Sequence, residues 1–193
     1  MKRICVYCGS NPGKSTEFLE SARSLARELV QREICLVYGG ASVGIMGEIA
    51  DTVLAGGGEV IGVIPQALVD KEVSHAGLTE LKIVDSMHER KEIMVDISAG
   101  FIALPGGLGT IEEIFEVLTW AQLGFHKKPC ALLNVKGYYD KLTQFLNHAV
   151  AEGFIANTHR EMLLVEEEPH RLLEIMAAYI APAVDKWIGR NET

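Results

Sequence analysis

Short apolar runs alternate with longer segments of helical periodicity along almost the whole chain. The apolar runs predict seven β-strands, at residues 3–8, 34–38, 59–64, 81–85, 100–104, 129–134 and 162–165. Between the strands, apolar residues recur three and four positions apart, which predicts helices that each bury one face. These helices are expected at residues 18–30, 44–55, 86–99, 138–151 and 169–180, with one more that ends near residue 123.

The regular alternation of strands with helices predicts an α/β fold, a doubly wound and mostly parallel sheet covered by helices on both faces. The strands are nearly continuous apolar runs, as expected where both faces are covered. The chain has 193 residues and contains no linker, repeat or low-complexity tract. We therefore expect a single domain over residues 1–181 and a polar C-terminal tail over residues 182–193.

The composition and net charge of the chain exclude some classes of binding partner. Hydrophobic residues make up 48% of the chain and charged residues 23%, an ordinary globular balance. The net charge of −8 argues against binding to nucleic acid or to a membrane surface, since both need a basic patch. The sequence shows neither a secretory signal nor an apolar run that could span a bilayer, so the cytoplasm is the expected compartment.

The cysteines raise the question of a zinc or redox site, because Cys5 and Cys8 form a C-x-x-C pattern. Both lie on a predicted strand, where residues three apart point to opposite faces. No second pair of cysteines or histidines completes a tetrahedral site, and the six histidines form no cluster in the sequence. We therefore interpret the cysteines as buried free thiols, and we expect neither a metal nor a cofactor.

Three predicted strands end in glycine-rich turns, at residues 9–13, 39–44 and 105–110. Ligands of open α/β sheets bind at the carboxyl ends of the strands, so three such turns predict a nucleotide-sized ligand. The first turn resembles a P-loop, but only three residues separate Gly9 from Gly13 where the motif needs four. Lys14 and Ser15 are equally explained as an exposed lysine and a helix N-cap.

The third turn runs into a helix that carries Glu112, Glu113 and Glu116 near its start. A glycine turn that opens a helix is a natural anion site, so the three acids are unexpected there. Thr110 and Glu113 have the spacing of a capping box, and Glu113 could simply cap its own helix. Glu112 and Glu116 are four apart, where like charges repel. We expect all three acids to lie outside the buried stripe, which comprises Ile111, Ile114, Phe115, Leu118 and Ala121.

Another helix begins with an unusual group of cations. Ser86 is expected to be its N-cap, which places His88, Arg90 and Lys91 in the first turns, where positive charge opposes the helix dipole. One interpretation is that neighbouring glutamates neutralise these cations on an exposed surface. The other is that Arg90 and Lys91 bind an anionic ligand, and that Arg90 also pairs with an acid from the opposite loop.

These two segments, SMHERKEIM and ALPGGLGTIEEIFEVLTWAQLGFHKKP, resemble the LOG ("lonely guy") family of cytokinin-activating enzymes, which carry a PGG-x-GT-x-x-E motif after an Arg-Lys pair. The resemblance extends to CVYCGSNPG, VYGGASVGIMGEIAD, VIGVIPQAL and LLNVKGYYD. It implies a Rossmann-like fold and a homodimer or higher homo-oligomer. It also implies a phosphoribohydrolase, which cleaves N6-prenylated adenosine monophosphates or AMP into free base and ribose 5-phosphate without a cofactor.

The resemblance further implies roles for individual residues. Arg90 and Glu113 would be the catalytic pair, and Gly107, Leu108, Gly109 and Thr110 would hold the phosphate. Glu72, Lys91 and Thr119 align with substrate contacts of the family. From their places in the glycine turns and near the helix starts, we expect further contacts from Ser10, Gly40, Ser42, Met87, Gly106 and Glu116.

The expected chemistry explains acids beside a phosphate, because breaking an N-glycosidic bond builds positive charge on the ribose. We hypothesise that Glu113 stabilises this charge and activates the attacking water, while Arg90 keeps Glu113 ionised. A nucleotide carrier or sensor without turnover is the main alternative. A phosphatase would need a metal cluster that the sequence lacks. Related sequences are also labelled lysine decarboxylases, but no lysine lies in a recognisable pyridoxal phosphate motif.

Overall fold

A computed structural model describes residues 1–70 and 74–182 of the chain. Strands and helices alternate through these residues, as predicted. The strands are β1 (Arg3–Tyr7), β2 (Cys35–Tyr38), β3 (Val60–Pro65), β4 (Glu80–Val84), β5 (Phe101–Ala103), β6 (Cys130–Leu133) and β7 (Leu163–Glu166). The helices are α1 (Thr16–Gln31), α2 (Gly44–Ala55), α3 (Gln66–Val69), α4 (Met87–Ile97), α5 (Leu108–Gln122), α6 (Asp140–Ala151), α7 (Asn157–Arg160) and α8 (Pro169–Ala177), with a 3-10 helix at Val135–Gly137.

All seven predicted strands are confirmed, each within one residue at either end. The α2 helix has the predicted bounds, whereas α8 ends three residues before the predicted position. The short helices α3 and α7 were not predicted, because a single helical turn is too short to show a hydrophobic period. The predicted tail cannot be compared with the structure, since residues 183–193 lie outside the described residues.

Within the described residues, the strands form one parallel sheet in the order β4-β3-β2-β1-β5-β6-β7. The chain winds outward from β1 in one direction and then from β5 in the other, so the topological switch point lies between β1 and β5. These two strands pair directly, with Tyr7 opposite Ala103. A doubly wound sheet of this kind opens a ligand crevice at the carboxyl ends of the strands at its switch point.

Two apolar clusters cover the two faces of the sheet. One packs α1, α2 and α8 against it, and the other packs α4, α5 and α6. Cys8 belongs to the first cluster and Cys5 to the second, so the two thiols of the C-x-x-C pattern face opposite sides, as predicted. All four cysteines are buried and free, which confirms their interpretation as strand thiols.

The three glycine turns pack directly against one another at the carboxyl edge. The N–H of Gly9 donates to the carbonyl of Pro105 at 3.1 Å, and the N–H of Ile45 donates to the carbonyl of Gly9 at 3.1 Å. Gly44 has a φ of +60°, and a Cβ on it would collide with the Ser10 backbone. The sheet therefore brings the three turns into one continuous surface at the switch point. In the described part of the chain, no helix combines the length and apolar character that crossing a bilayer requires.

Candidate active site

A cavity of about 280 Å³ opens at the switch point, between the ends of β1 and β2 and the start of α5. Its walls come from the glycine turns, and Arg90 and Glu113 contribute the charged groups. The lining residues are Val6, Tyr7, Cys8, Gly9, Ser10, Gly39, Met46, Arg90, Gly107, Leu108, Gly109, Thr110 and Glu113. Of the predicted site residues, the structure thus brings the catalytic pair, Ser10 and the four phosphate-loop residues into one cavity.

Arg90 lies in the first turns of α4, and its side chain reaches this cavity. The helix begins at the predicted N-cap, where the Ser86 hydroxyl accepts from the Glu89 N–H at 3.1 Å. The Arg90 side chain then turns inward, with only 8% of its surface exposed, and its Nε donates to the Val63 carbonyl at 3.0 Å. A Cβ on Gly39 would lie 2.5 Å from Arg90 Nη2, so the guanidinium needs glycine at that position.

Arg90 and Glu113 form a buried ion pair between α4 and α5. The distance from Arg90 Nη1 to Glu113 Oε1 is 2.5 Å, and 11% of the Glu113 side chain is exposed. This contact confirms that Arg90 pairs with an acid across the site, although the acid lies on a helix and not in a loop, and the anionic ligand of that interpretation stays a prediction. The alternative, in which glutamates on the same helix neutralise Arg90 at an exposed surface, is wrong.

Two expectations for Glu113 are also wrong, and both errors concern the start of α5. The helix begins at Leu108 with Gly107 as its N-cap, and no side chain caps it. Thr110 is therefore the third residue of the helix and cannot form a capping box with Glu113. The predicted stripe left Glu113 outside the buried face, yet Glu113 is buried because that face also packs against α4 and its arginine.

The surroundings of Glu113 shift its acidity. Burial raises the pKa of the Glu113 carboxyl, and the charge and hydrogen bond of Arg90 oppose that rise without cancelling it. Its pKa therefore lies above the ordinary value of 4.5. Arg90 favours the ionised form of Glu113, in the direction that the hypothesis requires, and offsets part of the cost of burial. A carboxyl with a raised pKa is better suited to accept a proton than an exposed one.

Lys91 explains how Glu112 and Glu116 can coexist on one face of α5. Its Nζ lies 2.6 Å from Glu112 Oε1 and 3.0 Å from Glu116 Oε2, so one cation lies between both acids and reduces their mutual repulsion. Lys91 and Glu116 line a second cavity of about 570 Å³ between α4 and α5, with Trp120 and Phe125. The structure therefore places Lys91 and Glu116 beside the cavity of Arg90 and Glu113 and not in its wall.

The glycine loop at the start of α5 has the space that an anion needs. A Cβ on Gly107 or Gly109 would meet nothing within 4 Å, so packing within the chain does not require glycine at either position. Both residues border the cavity of Arg90 and Glu113. The first turn of a helix presents N–H groups that have no partner within the helix, and the helix dipole adds positive potential there. An anion bound in the cavity would meet these N–H groups.

The remaining predicted contacts are placed elsewhere in the chain. Thr119 lines a separate cavity beside α6 and α7, and its hydroxyl donates to the Phe115 carbonyl at 2.7 Å. Gly40 is buried, Ser42 and Met87 are exposed, and none of the three lines the catalytic cavity. Gly106 borders an adjoining cavity. Glu72 lies outside the described residues. The roles predicted for these residues stay predictions.

Sequence reasoning did not name six residues in the wall of the cavity as site residues, namely Val6, Tyr7, Cys8, Gly9, Gly39 and Met46. Gly39 carried a usable signal, since a double glycine directly after a buried strand often marks close approach of another group. Gly9 belongs to the first glycine turn, and Val6, Tyr7, Cys8 and Met46 looked like ordinary core residues. Within the described residues, no group of three or more histidine, cysteine or acidic side chains is placed to hold a metal ion.

Comparison with known proteins identifies a family and several relatives that this chain resembles. Residues 46–176 match the family described as "Possible lysine decarboxylase". The chain is 49% identical over 179 residues to cytokinin riboside 5'-monophosphate phosphoribohydrolase LOG1 of Arabidopsis thaliana, across 93% of this chain and 84% of the relative. It is 54% identical over 177 residues to "Probable cytokinin riboside 5'-monophosphate phosphoribohydrolase LOGL1" of Oryza sativa subsp. japonica, across 92% of this chain and 79% of the relative.

Solved structures confirm the predicted fold class. The molybdenum cofactor carrier protein of Chlamydomonas reinhardtii superimposes with a TM-score of 0.69, across 92% of this chain and 99% of the carrier. The two sequences are 22% identical, so this likeness concerns the Rossmann-like fold alone.

The buried pair predicts a pH-dependent loss of stability in Arg90→Met. Removing Arg90 leaves the Glu113 carboxylate buried without a partner, which costs about 3–5 kcal/mol of unfolding free energy at pH 8. The loss of Arg90 also raises the pKa of Glu113 further, so the carboxyl takes up a proton as the pH falls. Because a raised pKa in the folded state adds stability below it, the deficit should shrink between pH 8 and pH 5 in urea titrations.

Lys91→Met is the matched control, since it makes the same change one residue along α4. Its partners Glu112 and Glu116 are 55% and 24% exposed, so this variant should lose about 1 kcal/mol or less, with a weaker dependence on pH than Arg90→Met. An equal deficit for Arg90→Met at both pH values would contradict an ionised, buried Glu113.

Proposed function

The chain belongs to the LOG family of phosphoribohydrolases, and we propose that it hydrolyses the N-glycosidic bond of nucleoside 5'-monophosphates. The products would be a free base and ribose 5-phosphate. The names of the rice and Arabidopsis relatives support cytokinin riboside 5'-monophosphates as substrates, and AMP carries the same phosphoribosyl group. The observation that carries the proposal is the buried Arg90–Glu113 pair, which shares a cavity with a glycine loop suited to a phosphate.

The phosphate would bind at the start of α5. Gly107 to Thr110 border the cavity, and the N–H groups of this first turn together with the helix dipole favour an anion. Glu113 follows Thr110 by three residues, which is a rise of about 4.5 Å along the helix axis. The 5'-phosphate and the anomeric carbon are separated by the length of one ribose. A single helix therefore supplies a phosphate site and an acid at the two ends of the sugar.

Hydrolysis places opposite demands on the two ends of that sugar. The phosphate needs hydrogen-bond donors, whereas the anomeric carbon develops positive charge as the base leaves. Glu113 would stabilise this charge and take a proton from the attacking water, which then bonds to the anomeric carbon. Arg90 would orient Glu113 through their hydrogen bond and add positive potential for the phosphate. The base would leave with the electron pair of the broken bond and gain a proton.

The label lysine decarboxylase in the family description is not favoured by the geometry. Lys91, next to Arg90 in the sequence, is paired with Glu112 and Glu116 between α4 and α5. It faces the second cavity and does not line the cavity of Arg90 and Glu113. The arrangement suits cleavage at a phosphorylated ribose, because it places an acid beside a phosphate loop.

We further propose a cytoplasmic homodimer or higher homo-oligomer. Four free, buried cysteines suit a reducing compartment. Three aromatic side chains near the α5 and α6 helices, Phe125, Phe145 and Phe154, are between 62% and 87% exposed. Exposed aromatic residues are enriched at protein interfaces, which supports association of the chain with further copies.

Replacing Glu113 with Gln tests the proposed role most simply, because Gln keeps the size of the side chain and can still bond to Arg90. Without a carboxylate, the variant should release adenine from AMP at least about 100-fold more slowly at pH 7.5, with its fold retained. Glu112→Gln, one residue away and exposed, should keep the rate within about threefold. Near-normal turnover in Glu113→Gln would remove Glu113 from the mechanism, and binding of AMP without turnover by the natural chain would favour a carrier or sensor.

The acidity of Glu113 predicts the pH profile of the reaction. Because Glu113 must be ionised to act, kcat/KM should fall on acidification with a midpoint above pH 4.5, following the raised pKa of Glu113. The charge of Lys91 lowers the pKa of Glu113, so Lys91→Met should move this acid limb to higher pH, whereas Lys91→Arg should leave it in place. An acid limb that does not move in Lys91→Met would show that Lys91 does not act on Glu113.

The proposed association is checked by light scattering of the natural chain. A mass of at least twice the 21.1 kDa of one chain is expected at micromolar concentration. Phe125→Asp and Phe154→Asp should shift the mass towards that of the monomer, because a buried charge without a partner opposes association. A natural chain that stays monomeric at working concentration would contradict the proposal.

A further inference from the structure

We infer that Tyr138 is a positioning residue, which aims the N–H of Gly107 into the catalytic cavity and thereby sets the affinity of the site for the phosphate. The inference rests on the proposed function, since it concerns the same phosphate loop. Tyr138 belongs to the LLNVKGYYD segment after β6, to which the proposed mechanism gives no role. It does not line the cavity of Arg90 and Glu113, so it would act through the loop and not on the substrate.

Tyr138 holds one carbonyl of the phosphate loop. Its hydroxyl donates to the carbonyl of Gly106 at 2.6 Å, across 32 positions of sequence. Two rings hold the phenol in place, because Tyr138 packs edge-on against Phe18 at 5.7 Å and against Tyr139 at 5.0 Å between ring centroids. The contact therefore ties the phosphate loop to a second loop whose tyrosine is itself fixed by α1.

Because the peptide bond is planar, fixing the Gly106 carbonyl also fixes the orientation of the N–H group of Gly107. In a trans peptide, the carbonyl of one residue and the N–H of the next point in opposite directions. No cis peptide occurs in the residues that the structure describes. Because the Gly106 carbonyl points to Tyr138, the Gly107 N–H points away from Tyr138. In the described part of the chain this N–H has no hydrogen-bond partner, and Gly107 borders the catalytic cavity.

The loop needs such an outside contact because glycines flank this peptide on both sides. Gly106 and Gly107 can adopt backbone conformations that other residues avoid, so the plane between them could rotate at low cost. Gly106 is closely packed, since a Cβ there would collide with Thr110 Oγ1 and lie 2.9 Å from the Gly9 nitrogen, so no larger residue fits at this position. Rotation of the peptide plane between Gly106 and Gly107 needs no added volume and is therefore compatible with this packing. The Tyr138 hydroxyl removes it by fixing the carbonyl.

The neighbouring tyrosine provides a matched control within the same segment. Tyr139 donates to the carbonyl of Leu104 at 2.6 Å, a contact of the same type and length. The residue after Leu104 is Pro105, which has no N–H group to aim. Loss of the Tyr139 hydroxyl should therefore reduce stability without changing a donor of the phosphate site. Tyr139 is buried, whereas Tyr138 is 45% exposed, so Tyr138→Phe should remain folded.

The experiment measures binding of ribose 5-phosphate and of adenine by calorimetry for the natural chain, Tyr138→Phe and Tyr139→Phe. In Tyr138→Phe, loss of one donor to a charged phosphate should lower the affinity for ribose 5-phosphate about tenfold. The affinity for adenine should stay within about twofold of that of the natural chain. In steady-state assays with AMP, KM should rise by a similar factor while kcat changes by less than about twofold. Tyr139→Phe should bind both ligands as the natural chain does, with a lower melting temperature.

Three results would overturn the inference. Binding of ribose 5-phosphate by Tyr138→Phe within twofold of the natural chain is the first. The second is an equal loss of affinity for ribose 5-phosphate and for adenine in Tyr138→Phe, because it would indicate a general disturbance of the site. Equal weakening of ribose 5-phosphate in both tyrosine variants is the third. The binding measurements need no turnover, so failure of the natural chain to cleave AMP would count against the proposed function and leave this comparison valid.

Discussion

The ion pair of Arg90 and Glu113 is the interaction on which the arrangement of the site depends. Removing two charges from water is costly, and a chain that needed only stability could fill the same space with apolar side chains. Several features of the fold exist to accommodate the pair. Gly39 leaves room for the guanidinium, the Val63 carbonyl accepts from it, and the N-cap at Ser86 starts α4 where Arg90 can turn inward. Burial leaves Glu113 with a raised pKa, which suits it to accept a proton.

The switch point of the sheet explains why this pair meets a phosphate loop. Adjacent strands β1 and β5 send their glycine turns to the same edge, and α5 begins there with no side-chain cap. One helix therefore presents free N–H groups at its start and a carboxylate one turn later. Lys91 pairs with Glu112 and Glu116 on the neighbouring face, and of the three acids only Glu113 lines the cavity. The geometry of the α5 helix thus directs one acid into the cavity and the other two onto a neighbouring face.

The sequence was sufficient to predict the strands and the meeting of the glycine turns, whereas it left the pairing of Arg90 with an acid across the site as one of two alternatives. Apolar runs and glycine turns are local signals, and the sheet topology follows from their alternation. The capping box at Thr110 was wrong because a bare Gly107 N-cap leaves no local signal of its own. The burial of Glu113 depends on α4, which the pattern of α5 alone cannot show. The bond from Tyr138 to Gly106 spans two loops, and no sequence period reports such a contact.

Product identification tests the central claim, that the Arg90–Glu113 site cleaves the bond between base and ribose. The natural chain is incubated with AMP and with N6-isopentenyl-AMP in buffer that contains a metal chelator, and the products are separated by chromatography. Each substrate that reacts should yield free base and ribose 5-phosphate in equal amounts. Nucleoside and inorganic phosphate, or tight binding with no product, would contradict the claim.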